Sequence, residues 1–357
     1  MPQSQQPSAE PTPQPAGPFT GPMAGPPPGA PPGAPPIVFA STIAPSDTTT
    51  SIVVEPAGPQ IQPGQGGVVT RSDIVYVRRE TPGAQPLALK LDLLVPPGPG
   101  PKPLVVYVPG GGFIISPKDG ALDLRTYVAE QGFAVASVEY RTVLNGATYV
   151  DSVSDVKSAL RFLRAHAAEY GIDARSAAVW GESAGGYLAA MVGTTAGVAA
   201  FETPDNADRS STVDAVVDKF GATHLARIAD DFDDGIRAFH SAPGTPFAQY
   251  VFGPGTDKSV LDSPEEVAAA DPVSYTGPEN PPFLIMHGTD DGLISPSQTL
   301  LLHSALLSHG VDSTRSVLAG AKHGDMAFVG DLEAGLPWST QETMGYIVEF
   351  LRKHLTG

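Results

Sequence analysis

The chain has 357 residues, with 21 Lys and Arg against 38 Asp and Glu, a formal net charge of -17 and no cysteine. A balance this acidic argues against nucleic acid as a partner and against docking on an anionic membrane face, because both need Lys and Arg to meet phosphates. The missing cysteine excludes disulfides, zinc–thiolate sites, iron–sulfur clusters and a cysteine nucleophile, while 41% apolar residues suffice for a sizeable core.

Residues 1–36 are dominated by Pro, Gly, Ala and Gln, as in Pro26-Pro27-Pro28-Gly29-Ala30-Pro31-Pro32-Gly33. Pro removes amide donors and Gly resists ordering, so this composition predicts a disordered, partly polyproline II tail, with a ligand for a Pro-binding module as the functional alternative. The start Met1-Pro2-Gln3-Ser4 shows no basic segment followed by an apolar one, and no run of about 18 apolar residues occurs. The expectation is therefore a chain without a membrane span, cytoplasmic by default, or secreted if a leader has been removed. Residues 37–70 read as a transitional segment, with Ile52-Val53-Val54 as a short apolar run.

From residue 71 onward the pattern is that of a catalytic domain. Ile74–Val77 and the period-two run Leu87–Leu93 read as an antiparallel strand pair. Leu104–Val108, Phe133–Val138, Ala177–Trp180, Ala215–Val217 and Phe283–Met286 are short and almost wholly apolar, which suits strands buried on both faces of a parallel sheet. Asp151–Tyr170 places apolar residues at Val153, Val156, Leu160, Leu163 and Ala167, the spacing of an amphipathic helix started by Asp151 or Ser152 and stopped by Gly171. Leu300–Leu307 and Met344–Leu355 read as further helices. Strands alternating with helices predict an α/β domain. The stretch of about 222–280 is too long for a plain connection and reads as an insertion capping one end of the sheet.

Gly181-Glu182-Ser183-Ala184-Gly185-Gly186 follows a predicted strand and precedes the helix-like run Tyr187–Val192. That strand–turn–helix setting makes Gly-x-Ser-x-Gly a nucleophile elbow, in which glycines two residues either side of Ser183 remove clashing Cβ atoms. A serine hydroxyl needs a base, and the base an orienting acid. Among eight histidines, His323 lies in a small-residue loop late in the chain, after the probable strand Ser316–Leu318, whereas His287 ends a buried strand and reads as structural. The acid is expected between Ser183 and His323 in sequence, just past Phe283–Met286, where Asp290 and Asp291 are the candidates; Asp291 is preferred, with Asp290 as a turn residue. Val108-Pro109-Gly110-Gly111-Gly112-Phe113 follows another strand, and Gly111, Gly112 and Ala184 are the candidate amide donors to an oxyanion.

Taken together, Gly110-Gly111-Gly112-Phe113, Gly181–Gly186, His287-Gly288-Thr289-Asp290-Asp291 and Lys322-His323-Gly324 make residues 70–357 resemble the α/β-hydrolase esterase and lipase group related to hormone-sensitive lipase and carboxylesterases. The chain is also similar to the group of bacterial feruloyl esterases and kynurenine formamidases. The resemblance implies a mostly parallel eight-stranded sheet with an antiparallel second strand, a cap over the site, and an acid four residues after the strand-end histidine, which is Asp291. The usual His-Gly-Gly-Gly begins here with Pro109, which cannot make the histidine's hydrogen bonds. The expected function is hydrolysis of short-acyl carboxylic esters, a small-molecule substrate being the partner, through Ser183, His323 and Asp291 without metal or cofactor. Amide or formamide hydrolysis by the same residues, and a non-catalytic binding module on the same fold, are the alternatives.

Overall fold

The computed structural model describes residues 23–24, 37–55, 57–80, 85–324 and 336–356. Apart from Met23–Ala24, which pairs antiparallel with Ile37–Val38, the Pro-rich tail expected over 1–36 lies outside the described residues. The main sheet has nine strands among the described residues: β1 (Ile52–Val54), β2 (Val69–Arg79), β3 (Leu87–Val95), β4 (Lys102–Val108), β5 (Ala134–Val138), β6 (Ile172–Glu182), β7 (Ala215–Lys219), β8 (Phe283–Gly288) and β9 (Ser313–Leu318). Their spatial order is β1-β9-β8-β7-β6-β4-β5-β3-β2. All neighbours run parallel except β3, which is antiparallel to both β5 and β2.

The antiparallel second strand of the expected eight is thus Leu87–Val95, but the sheet has nine. The extra strand comes from the transitional segment: Ile52, Val53 and Val54 pair with Ser316, Val317 and Leu318. Three residues are too few to show a strand period, and the edge position leaves Ile52 and Val53 half exposed.

The central strands are mostly apolar because consecutive side chains enter two different cores. Leu104, Val106 and Val108 of β4 join one core, and Val105 and Tyr107 the other. The first core receives α2 (Tyr149–Ala165) through Val153, Val156, Leu160 and Leu163, and α3 (Ala184–Thr194) through Leu188 and Met191. The second receives α1 (Leu122–Glu130) through Leu124 and Val128, and the C-terminal helix through Met344, Ile347, Val348 and Leu351. Each such fully buried side chain contributes about 1.5–3 kcal/mol.

Helix α2 begins earlier than its apolar spacing indicates. Thr148 is the N-cap, and the Asp151 carboxylate accepts its N–H at 2.9 Å, so Asp151 is the third residue of a capping box rather than the cap. Between β7 and β8 the chain carries three short helices, α4 (Asp234–His240), α5 (Pro246–Phe252) and α6 (Pro264–Ala268). Helices α7 (Ser297–Ser308) and α8 (Gln341–Leu355) follow. Because β4, β6, β7, β8 and β9 are parallel, the segments leaving their carboxyl ends gather at one edge of the sheet, and these segments hold all the residues singled out above.

Candidate active site

Strand β6 turns into α3 at Ser183, whose φ of +55° and ψ of -122° lie where side chains are rarely found. Such strain costs on the order of 1–3 kcal/mol and is held by the surroundings. A Cβ on Gly181 would stand 1.9 Å from Gly185 O, and one on Gly185 would stand 1.9 Å from Val108 O. Both glycines are therefore steric requirements of the turn. Its backbone is pinned by Ser183 N–H donating to Lys219 O at 2.9 Å.

Ser183 Oγ lies 2.9 Å from His323 Nε2, and His323 Nδ1 lies 2.7 Å from Asp291 Oδ2. The three side chains, from residues 183, 291 and 323, thus form one hydrogen-bonded line. Asp291 is fully buried, and its Oδ1 accepts the N–H groups of Leu293 and Ile294, each at 2.9 Å. Burial opposes its ionisation, but the charge of His323 and the hydrogen bonds from His287 and His323 prevail and hold the carboxyl well below the usual carboxylate range. Asp290 is exposed and accepts from Thr289 Oγ1 at 2.9 Å, the turn role expected of it. The His323 ring packs against the edge of Phe220, with centroids 4.9 Å apart.

The glycine loop after β4 lies against this turn. A Cβ on Gly110 would approach Glu182 O to 2.9 Å and Ser183 Cβ to 3.1 Å. Gly111 has φ +153° and Gly112 φ +61°, and Gly111 O accepts from the N–H groups of Ile114 and Ile115. The amides of Gly111, Gly112 and Ala184 donate to no other described residue, which leaves them open to an incoming oxygen. Pro109 cannot donate, yet its carbonyl accepts the hydroxyl of the buried Tyr140 at 2.8 Å. Thr142 Oγ1 donates to Ile114 O at 2.8 Å, and Val143 N–H to Phe113 O at 3.0 Å. The segment after β5 therefore braces the loop from behind.

Several partnerships of this region are not signalled by any motif. His287 ends a buried strand, and its Nε2 meets Asp291 itself, four residues on. Lys219 and Glu182 form a buried ion pair at 2.6 Å beside Ser183, with Lys219 Nζ lying 5.0 Å from the centroid of the Trp338 ring. Trp338 lies in the core under Phe220 and donates to Lys322 O at 3.1 Å. Phe113 stacks on Tyr250 at 4.2 Å, so α5 contacts the residue that ends the glycine loop. Among the described residues, no group of His, Asp and Glu is arranged to hold a metal ion.

Residues 91–306 match BD-FAE, well over half of the chain. This chain belongs to the BD-FAE family. It is 30% identical over 268 residues to "Esterase LipC" of Mycobacterium tuberculosis, covering 72% of this chain and 60% of that one. The chain spans about half the length of the curated relatives it matches. Among solved structures, a truncated carbohydrate esterase from gut microbiota superposes with a TM-score of 0.69 at 22% identity, over 84% of this chain and 100% of that one. The propionate-bound form of esterase Est2 from the planctomycete Thermogutta terrifontis gives 0.61 at 25% identity, over 82% and 96%. The fold of this BD-FAE member is that of the α/β-hydrolases, with a nine-stranded mixed sheet.

Proposed function

We propose that the chain is a carboxylic ester hydrolase that cleaves short-acyl esters through an acyl-enzyme on Ser183. The observation that carries this reading is the continuous line Ser183 Oγ–His323 Nε2 and His323 Nδ1–Asp291 Oδ2, at 2.9 and 2.7 Å. His323 Nε2 takes the Ser183 proton as Oγ bonds to the ester carbonyl carbon, and Asp291 holds the ring by accepting from Nδ1–H. The amides of Gly111, Gly112 and Ala184 receive the oxyanion. The carbon–oxygen bond to the alcohol breaks as Nε2–H protonates the leaving oxygen. Water then adds with its proton passing to Nε2, and the acid is released as Ser183 recovers its hydrogen.

The short-acyl preference is supported by a relative in fold whose structures are described with propionate and with butyrate bound. We read the α4–α6 segment as the cap over this site, and residues 71–357 as the catalytic domain to which β1 adds an edge. No helix of the described residues is long and apolar enough to cross a membrane. The substrate we propose is a small-molecule ester.

The test is hydrolysis of p-nitrophenyl acetate, butyrate and octanoate by the wild type and by Ser183→Ala. The expected result is activity that falls with acyl length and drops at least about 10^4-fold in the variant. A folded wild type that cleaves none of the three, or an active Ser183→Ala, overturns the proposal.

A further inference from the structure

Hydrogen bonding does not end at Asp291. Its Oδ2 meets a second imidazole, His287, whose Nε2 is 3.0 Å away and also 3.1 Å from Ile294 O. Carboxylate and carbonyl oxygens offer only lone pairs, so His287 Nε2 carries the hydrogen. Across the ring, Nδ1 is 3.0 Å from Thr299 Oγ1, and Thr299 Oγ1 accepts Arg315 Nε–H at 3.1 Å. The Arg315 guanidinium is buried and makes no ion pair among the described residues. Burial brings its pKa down to about 10, so it remains a cation at neutral pH. Its other N–H groups go to neutral acceptors: Asp47 O, Ser51 Oγ and Ser46 Oγ on the segment before β1, and Pro296 O.

The hydrogen of Thr299 has two acceptors within reach, Pro296 O at 3.2 Å and His287 Nδ1 at 3.0 Å. Pro296 O already receives Arg315 Nη2 at 3.0 Å, whereas Nδ1 of a neutral imidazole has no other described donor. A hydroxyl that accepts from a cation is polarised toward donating, and Nδ1 is the acceptor left. We infer that Arg315, Thr299 and His287 form a one-way donor relay that positions Asp291, anchored by residues 46–51. All three are positioning residues. The inference rests on the proposed hydrolytic reading only in giving Asp291 the acid's role.

Two imidazole N–H groups share one oxygen of Asp291, so each meets a carboxylate oxygen that is already engaged. Removing the Thr299 hydroxyl leaves the His287 hydrogen on Nε2, which still faces two acceptors, and takes away the donor to Nδ1 that holds the ring in place. The other charged groups around this cluster are Asp290 on the acid loop, Asp231 and Asp47 beyond Arg315, and the Glu182–Lys219 pair behind Phe220.

The experiment is nitrogen NMR on the whole protein with labelled imidazoles, in the wild type, Thr299→Val and Thr299→Ser, with His287→Gln identifying the signals. In the wild type, His287 is expected to carry its hydrogen on Nε2 and to accept one at Nδ1. Thr299→Val is expected to keep the hydrogen on Nε2 and to move the Nδ1 signal to that of an unbonded ring nitrogen, and Thr299→Ser to leave both in place. A His287 ring protonated on Nδ1 in the wild type overturns the relay even if Thr299→Val does not fold, and so does a folded Thr299→Val with an unmoved Nδ1 signal. Ester hydrolysis is measured separately. An inactive wild type with the expected tautomer refutes the hydrolytic reading alone, and an active one with the other tautomer refutes the relay alone.

Discussion

Tyr140→Phe removes a single oxygen atom and tests how a glycine loop that starts with proline is held. The Tyr140 ring is fully buried after β5, and its hydroxyl donates to Pro109 O at 2.8 Å. Phenylalanine keeps the ring and opens almost no cavity, so packing changes little. What is lost is one neutral hydrogen bond, and the buried Pro109 carbonyl is left without a described partner. That combination costs about 1–3 kcal/mol, the upper end applying when the orphaned group stays dry. A loss near 2 kcal/mol lowers Tm by about 3 °C in a chain of this size. Gly111 and Gly112 lie two and three residues after Pro109, and one whole oxyanion donor is worth about 3 kcal/mol, so a loosened loop is expected to forfeit about half of that. The result is a kcat on p-nitrophenyl acetate lowered about 10-fold, with KM changed less than about threefold, because the donors act on the transition state. Steady-state kinetics and a thermal melt on the same preparation provide both numbers. A kcat within about twofold of wild type alongside the lowered Tm refutes the reasoning. Tyr140 is then a core hydrogen bond, and the bonds from Ile114 and Ile115 to Gly111 O suffice to hold the loop.

Other perturbations probe the ground beneath the nucleophile. Lys219→Met leaves the Glu182 charge buried without its partner and is expected to destabilise by about 3–5 kcal/mol, while adding Glu182→Gln restores most of the loss; urea melts showing additive losses instead refute the coupling. Asp218 is buried, with Oδ1 accepting from Gly221 N–H at 2.9 Å and Oδ2 unpartnered among the described residues. Burial raises its pKa from 3.8 to about 7. Between these values the folded chain keeps a proton that the unfolded chain has lost, so this group's contribution to stability falls as pH rises through that window and levels off above it. Asp218→Asn keeps the acceptor and removes the titration, so its stability relative to wild type is expected to rise between pH 4 and pH 8 by up to about 4 kcal/mol. A difference that is the same in urea melts at both ends of the window overturns the assignment.

The parts legible in the sequence are those that short contiguous segments dictate. Gly181 and Gly185 are required because a Cβ on either has nowhere to go within a turn of five residues, and that requirement is written in the motif itself. The apolar runs of β4, β6 and β8 announce strands buried on both faces, since each consecutive side chain must enter a core. Chain order after the serine and a small-residue loop singled out His323, and the family resemblance, which puts the acid four residues after the strand-end histidine, supported Asp291 over Asp290; their convergence with Ser183 to 2.9 and 2.7 Å is a property of the sheet. Three residues of β1 carry no period of their own and become a strand because β9 offers them an edge. Thr148 displaces Asp151 as the cap of α2, because a capping box and a simple cap draw on the same residue types.

What the tertiary structure alone decided are the partnerships of buried polar groups. Nothing near Tyr140 in the sequence points to Pro109, 31 residues away, nor does anything near Arg315 point to Thr299 and to residues 46–51. Hydrogen bonds and ion pairs over such separations are set by which strands lie side by side and how far each side chain reaches, and a one-dimensional pattern holds neither quantity. The sequence by itself determined which atoms do the chemistry proposed here, because sterics and valence confine them to a few residue types in fixed local order. The packed sheet decided what holds those atoms, because a buried donor or acceptor takes whatever partner the fold brings within 3 Å.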